Sequence, residues 1–377
     1  MLKGNEVIYQ IFVRNYSKEG TFDKVTEDLP RLKDLGVDIL YLMPINEIGE
    51  KARKGTYGSP YASKDYFSIS KDLGNIDSLK NLIKKTHESG MKIILDMVFN
   101  HTAPDSILYY EHPEYYFYRD GKPGNRVGDW SDIIDLDTSR EDTQDYLGSV
   151  LEYWVNVGFD GFRFDVASII DFNVFKKAHE RLGKKVIFYS ESIDDDFVNY
   201  LASMGYYSTP DRDMFPVFDI IYNYSWYRPL EHMLKYGKEK EYFVNAINRD
   251  KDDLPKTYLR SNCLENHDCD RIAALVNDKE QLYEFTKFSY FLKGNPFIYA
   301  GQEYGIAHKP ELFEKDPIDW SQKDEELYEL HKQLIKEKHQ AIVPDANICE
   351  VDGSNLLVKL IKDNKVIDTK KFNIFRQ

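Results

Sequence analysis

Charged and imidazole side chains follow short apolar runs at several places in the chain. In Gly161-Phe162-Arg163-Phe164-Asp165, side chains of a strand alternate between two faces, so Arg163 and Asp165 share one face and the phenylalanines share the other. In a barrel the charged pair would lie inside, at the carboxyl end of a strand, where barrel enzymes place their catalytic groups. One such pair is equally well explained as an ion pair that only fills the barrel.

Similar polar groups end three further runs. Asp96 lies in a run that exits through Asn100-His101, Glu191 ends another run, and Asn266-His267-Asp268 follows a third. Taken singly, each is ordinary for a strand end. Together they would bring three carboxylates, two histidines and an arginine to one rim, and burying so many ionisable groups is costly without a function. The cluster therefore predicts an active site.

The elements that would position this cluster are eight runs rich in β-branched and aromatic residues, most of them followed by a segment with helical spacing. This alternation is typical of a parallel sheet covered by helices, and eight units close a (β/α)8 TIM barrel, an α/β fold. The predicted strands are residues 7–13, 37–43, 92–98, 159–166, 186–190, 218–222, 257–264 and 296–300. The clearest predicted helices are residues 21–35, 76–88, 143–157, 279–292 and 325–339.

Two segments depart from a plain barrel. Residues 101–137, after the third strand, are rich in Tyr, Pro, Gly and Asp and predict a small inserted subdomain, because a structureless loop of that length is uncommon. Residues 340–377 alternate apolar and polar side chains around a turn at Asp363-Asn364 and predict a short β-rich region. The barrel itself would comprise residues 1–100 and 138–339.

Composition narrows the function classes. The 377 residues carry 64 acidic and 50 basic side chains, a net charge of −14, which disfavours binding to nucleic acid or to an anionic membrane. The 28 tyrosines suit a core but also a site that stacks hydroxyl-bearing ligands. Three cysteines and no signal-peptide pattern predict free thiols and a cytoplasmic location. The composition leaves the oligomeric state undetermined.

Four ordered motifs resemble those of the α-amylase family of retaining α-glycoside hydrolases and transglycosylases. They are Asp96-Met97-Val98-Phe99-Asn100-His101, Gly161-Phe162-Arg163-Phe164-Asp165, the shorter Ser190-Glu191, and Glu265-Asn266-His267-Asp268. Flanking segments also match, including Gly36 to Pro44 and Pro296 to Glu303. The resemblance implies that Asp165 is the nucleophile, Glu191 the acid/base and Asp268 the third carboxylate. It also implies that Tyr61, His101, Arg163 and His267 line the pocket of the sugar being cleaved.

Electrostatics are consistent with these implied roles. A retaining glycosidase needs an ionised and a protonated carboxyl group about 5 to 5.5 Å apart. At that distance two charges repel by roughly 3 kcal/mol, so both cannot comfortably ionise. Arg163 shares a strand face with Asp165 and is expected to hold that charge, which would leave the raised pKa on Glu191.

The resemblance implies no required cofactor, but many family members hold a structural Ca²⁺ between subdomain and barrel. Asn100 and Asp135 stand where such ligands usually lie, and oxygen donors suit Ca²⁺. Against this, Ser168-Ile169 replaces a Lys-His pair common in calcium-binding relatives. A zinc site at Cys263, His267 and Cys269 has no known ligand spacing.

The expected function is hydrolysis of α-1,4 bonds in maltodextrins through a covalent glycosyl-enzyme intermediate, and the short subdomain favours an open cleft. Three alternatives remain. One is a glucanotransferase or exo-acting α-glucosidase of the same family, and another is an inactive scaffold, which the complete carboxylate set disfavours. The third is an unrelated barrel acting on sugar phosphates, which would need a Gly-rich phosphate loop where this chain has Gln302 and Glu303.

Overall fold

Eight parallel strands form a closed barrel in the computed structural model, which describes residues 2–127, 130–193 and 195–376. Each strand pairs with its sequence neighbours, and the eighth closes on the first. The strands are β1 Ile8–Ile11, β2 Ile39–Leu42, β3 Lys92–Met97, β4 Gly161–Phe164, β5 Ile187–Ser190, β6 Ile220–Tyr222, β7 Arg260–Asn262 and β8 Asn295–Tyr299. The predicted fold class is confirmed.

Helices cover the outside of the barrel. The longer ones are α1 Phe22–Leu35, α2 Ile76–Glu88, α3 Glu141–Val157, α4 Phe172–Leu182, α5 Asp195–Ser203, α6 Tyr224–Tyr236, α7 Lys240–Asp253, α8 Lys279–Phe291 and α9 Glu325–Gln340. Shorter helical turns include Val13–Tyr16, Ile107–Glu111, Asp211–Met214 and Ile272–Leu275. Within the described residues, no helix is both long and apolar enough to cross a membrane.

Helix α2 shows why some boundaries could be predicted to the residue. The Asn75 side chain accepts from the backbone N–H groups of Asp77 and Ser78, and the Ser78 hydroxyl closes a capping box by interacting with the Asn75 backbone. Such a cap satisfies N–H groups that have no partner within the helix. The helix therefore begins where the local sequence dictates.

The two faces of the strands build two layers of core. Phe162 and Phe164 of β4 point outward, where Phe164 packs against Phe175 of α4 with ring centroids 5.0 Å apart. The inward face carries much of the tyrosine surplus, because Tyr41, Tyr189, Tyr222 and Tyr299 are buried inside the barrel. The alternation predicted for β4 is confirmed.

Two additions lie outside the barrel. In the segment after β3, the short strand His101–Thr102 pairs with Ile134–Asp135, and Tyr118–Arg119 pairs with Lys122–Pro123. Near the end of the chain, β9 Ala346–Asp352, β10 Asn355–Lys362 and β11 Lys365–Phe372 form an antiparallel sheet. This sheet buries Leu356, Val358 and Phe372 in a core shared with α8.

Candidate active site

The strand register sets the first two carboxylates side by side. Phe164 of β4 pairs with Ser190 of β5, so the next residues, Asp165 and Glu191, leave adjacent strands at the same level. On the other side of β4, Arg163 pairs in register with Asp96 of β3. Side chains from three neighbouring strands therefore meet at the carboxyl end of the barrel.

A fully buried guanidinium joins these carboxylates. Arg163 Nη1 donates to Asp96 Oδ1 at 2.7 Å and to Asp165 Oδ1 at 3.0 Å. Its Nη2 lies 2.9 Å from Glu191 Oε2, an ion-pair distance. Arg163 was expected to hold the charge of Asp165 and so to leave the raised pKa on Glu191. The guanidinium instead contacts both carboxylates, and the pKa of each is raised.

Asp268, in the loop after β7, belongs to a second cluster of hydrogen-bonded side chains, which is centred on His267. Nε2 of His267 lies 3.1 Å from Asp268 Oδ2 and 2.6 Å from the Tyr61 hydroxyl, while Nδ1 lies 2.9 Å from the Gln10 amide. The Tyr61 and His267 rings are stacked, with centroids 5.2 Å apart. Tyr61 also donates to Asp96 Oδ2 at 2.9 Å, which connects this group to the arginine.

These side chains open into one cavity of about 260 Å³. Six of the seven residues predicted for the site line it, and the seventh, Arg163, lies buried beneath it. The cavity is also lined by residues that sequence reasoning missed, namely Lys54, Ser59, Trp130, Asp132, Ile133, Val166, Leu312 and Phe313. No local pattern marks most of these residues, because loops after different strands bring them together.

Burial shifts the titration of the site. Loss of solvent and the nearby carboxylates raise the pKa of Glu191 to about 7, against the attraction of Arg163. Burial and the Glu191 charge likewise raise the pKa of Asp165 well above its usual range. The two groups therefore compete for one proton, and the pair titrates as a unit. Burial lowers the pKa of His267 and that of His101, the latter to about 4, so both imidazoles are neutral at pH 7.

Comparison with known proteins places this arrangement in a family. The family described as "Alpha amylase, catalytic domain" matches residues 8–215 and 206–342, which is most of the chain. The chain belongs to the alpha-amylase family. Among solved structures of this family, an alpha-amylase from Lactobacillus plantarum superposes with a TM-score of 0.90 at 36% identity, covering 94% of this chain and 85% of that one.

Other alpha-amylase family members are more distant or longer. The maltogenic alpha-amylase AmyB from Thermotoga neapolitana has a TM-score of 0.82 at 29% identity, over 95% of this chain and 86% of that one. Neopullulanase 2 from Thermoactinomyces vulgaris is 26% identical over 85% of this chain and 56% of its own length. The chain thus spans about half the length of the curated relatives it matches.

Asn100 and Asp135, the two residues expected to bind calcium, contact each other, and Asp135 also pairs with an arginine. The Asn100 amide nitrogen donates to Asp135 Oδ1 at 3.3 Å, so the donor end of this amide faces the carboxylate. The backbone N–H and Nη1 of Arg126 contact Asp135 Oδ2 at 2.8 and 3.2 Å. An arginine therefore supplies the positive charge beside this buried carboxylate. Across the described ranges, no group of three or more His, Cys, Asp or Glu residues is placed to hold a metal.

Proposed function

We propose that this chain is a retaining α-glycoside hydrolase that cleaves α-1,4-glucosidic bonds of maltodextrin-type oligosaccharides through a covalent glycosyl-enzyme intermediate. Asp165 is the nucleophile, Glu191 the acid/base and Asp268 the third carboxylate. Tyr61, His101, Arg163 and His267 bind or position groups around the sugar being cleaved. Membership of the alpha-amylase family supports this reaction class.

The observation that carries the proposal is the contact of Asp165 and Glu191 with the two terminal nitrogens of one guanidinium. Groups held so closely suit the separation of about 5 to 5.5 Å in retaining enzymes better than the wider gap that inverting enzymes need for a water. Both carboxylates line the cavity, so both can reach a bound sugar.

In the first step, ionised Asp165 attacks the anomeric carbon while Glu191 donates its proton to the glycosidic oxygen. The C–O bond to the leaving sugar breaks as the bond to Asp165 forms. The raised pKa of Glu191, about 7, keeps a proton available for this transfer near neutral pH. Arg163 stabilises the anionic carboxylate of the pair.

In the second step, Glu191 removes a proton from a water molecule, which displaces Asp165 from the anomeric carbon. Two displacements on the same carbon leave its α configuration unchanged. The half-exposed Asp268 accepts hydrogen bonds from sugar hydroxyls, and the aromatic face of Tyr61 supports the cationic transition state. Neutral His101 offers a hydrogen bond to the same ring, and neutral His267 positions Tyr61 and Asp268 beside that ring.

The substrate class rests on the relatives. Their names include cyclomaltodextrinase and alpha-amylase, both of which denote action on α-linked glucose chains. A maltosyltransferase of Methylacidiphilum infernorum is 33% identical over 42% of this chain, so transfer to a sugar acceptor is the second candidate reaction. The site is compatible with either acceptor, because water and a hydroxyl need the same deprotonation by Glu191.

The test is to incubate the chain with maltose through maltoheptaose and separate the products by chromatography. NMR of the first product should show the α anomer. Asp165→Asn and Glu191→Gln should each fold and lose activity, the acid alone contributing about 10²- to 10⁴-fold. Asp145→Asn, an exposed carboxylate on α3, is the matched control and should keep full activity.

Each result has a distinct meaning. Oligomers longer than the substrate would show transfer. Near-normal cleavage by purified Asp165→Asn or Glu191→Gln would refute the assignment, and a wild-type chain inactive on every α-glucan would leave the scaffold alternative.

A further inference from the structure

One side of the active-site cavity is closed by a wall that joins three loops. Lys54, from the loop after β2, lies 2.7 Å from Oδ1 of Asp132, in the segment inserted after β3. Both residues line the cavity. The ammonium group also lies 6.0 Å from the centre of the Phe313 ring, which belongs to the loop after β8.

The backbone of this wall is fixed by further contacts. The Tyr57 N–H donates to the Phe313 carbonyl at 3.0 Å, and Arg14 Nη1 donates to the carbonyls of Gly58 and Leu312 at 3.0 and 3.2 Å. A side chain at Gly55 would meet Phe313 atoms at 2.7 Å, so the two loops touch with no room between them. These contacts fix the backbone of the wall independently of the Lys54–Asp132 ion pair, which alone would be weak. The Lys54 side chain is therefore held by a rigid backbone where it lines the cavity.

The barrel order shows which side of the cavity the wall closes. Lys54 and Phe313 follow β2 and β8, the two neighbours of β1, whereas Glu191 ends β5. In an eight-stranded ring β5 lies opposite β1, so Lys54 and Phe313 face the acid/base across the cavity. Glu191 must sit beside the leaving sugar, and C4 of a pyranose lies across the ring from C1. A further sugar on the non-reducing side would be attached to O4 of the sugar being cleaved. The wall occupies the space that this further sugar would need.

The side next to Glu191 has a different character. Phe197 and Tyr200 of α5, the helix that follows Glu191, stack with ring centroids 6.2 Å apart, and Tyr200 is 47% exposed. Exposed aromatic faces are suitable for stacking on sugar rings. Neither ring lines the cavity, but Phe197 packs against Trp130, which does line it, with ring centroids 6.3 Å apart. Aromatic rings therefore lead out of the cavity on this side and offer the leaving part of an oligosaccharide a surface, whereas the opposite side is closed.

We propose that the Lys54–Asp132 ion pair and Phe313 end the donor side of the site after a single glucosyl unit. The enzyme then removes glucose from non-reducing chain ends. The cavity of about 260 Å³ lies near the lower end of the roughly 300–1,000 Å³ of ordinary ligand sites and has room for one hexose ring. The carboxylate and ammonium groups would recognise the free terminal hydroxyls. This inference rests on the proposed function and replaces the open cleft expected from the short inserted segment.

The test compares two nitrophenyl maltoheptaosides, one with a free non-reducing end and one with that end blocked by an ethylidene group. The free substrate should release glucose as its first product. The blocked substrate lacks the terminal hydroxyls and adds bulk, so its kcat/KM should be lower by at least about 100-fold. β-Cyclodextrin, which has no chain ends, should be equally poor.

Variants assign the effect to the wall. In Lys54→Ala the ratio of kcat/KM for the free substrate to kcat/KM for the blocked substrate should fall by at least about 10-fold, because the smaller side chain admits a blocked or longer donor chain. Lys54→Met keeps the side-chain stem and serves if the alanine variant does not fold. Lys64→Ala is the matched control, because Lys64 has 36% side-chain exposure against 35% for Lys54 and pairs with Glu50 outside the cavity. It should leave the ratio unchanged.

The outcomes separate this inference from the proposed function. Similar rates on free and blocked substrates, or maltose as the first product from the free end, would overturn the inference and leave hydrolysis standing. An unchanged substrate ratio in folded Lys54→Ala and Lys54→Met would also overturn it. A chain that hydrolyses neither substrate contradicts the proposed function itself.

Discussion

The backbone N–H of Val166 donates a hydrogen bond of 2.7 Å to Oε2 of Glu191. Val166 directly follows Asp165 and has left-handed backbone angles, with φ 37° and ψ 42°. This conformation is unfavourable for a β-branched residue and costs about 1–3 kcal/mol. The turn after Asp165 is thus held against Glu191 at the expense of local strain, and it couples the positions of the two carboxylates.

Replacing Val166 should reveal this strain. Glycine tolerates positive φ and alanine does not, so Val166→Gly should be more stable than Val166→Ala by about 1 kcal/mol. Thermal unfolding of both variants measures the difference. At Val174, buried in α4, the order should be reversed because helices favour alanine over glycine. An alanine variant at position 166 that is the more stable of the two would show that the turn is unstrained.

The raised pKa of Glu191 should make stability depend on pH. The folded chain binds the Glu191 proton more tightly than the unfolded chain does, so this proton stabilises the fold. The stabilisation is complete below the ordinary pKa of 4.5 and is lost as pH rises through about 7. The free energy of unfolding of Glu191→Gln minus that of wild type should therefore be larger at pH 8 than at pH 5. Denaturant unfolding at both pH values measures this difference. The kcat/KM of wild type should fall over the same range as the general acid deprotonates.

The exposed Glu326 provides the control for this experiment, because its replacement by Gln should not alter the pH dependence. Unfolding free energies of wild type and Glu191→Gln that change in parallel between pH 5 and pH 8 would contradict the raised pKa. Such a result would also weaken the assignment of Glu191 as the proton donor.

Arg126 should make calcium unnecessary for stability. Its guanidinium offsets the buried charge of Asp135, whose pKa burial raises to about 6. Chelation with EDTA should leave the unfolding temperature of wild type unchanged. Arg126→Ala should destabilise the chain by about 3–5 kcal/mol, because it leaves a buried carboxylate without its cation. Adding Asp135→Asn to that variant should restore part of the loss, whereas an EDTA-sensitive wild type would argue for a bound ion.

Much of the candidate catalytic cluster could be predicted from the sequence because it depends on short-range rules. Period-two alternation fixes that Arg163 and Asp165 share a face, and strand ends of a barrel meet at one rim. The capping box at Asn75 similarly fixes the start of α2. All predicted strands except the eighth were longer than those observed, because the chain leaves the barrel within a few residues and continues as loop. The sixth strand was predicted over residues 218–222 and comprises only Ile220–Tyr222 in the structure.

The sequence by itself was enough to predict the barrel and the grouping of the three carboxylates with Arg163. Strand periodicity and the order of the motifs can be recognised from short stretches of sequence. Only the tertiary structure decided that Arg163 contacts both carboxylates of the proposed acid–nucleophile pair, that Arg126 pairs with Asp135, and that Lys54 contacts Asp132 and Phe313. These contacts join residues from separate loops, and loop paths are set by packing against the whole barrel rather than by neighbours in the chain.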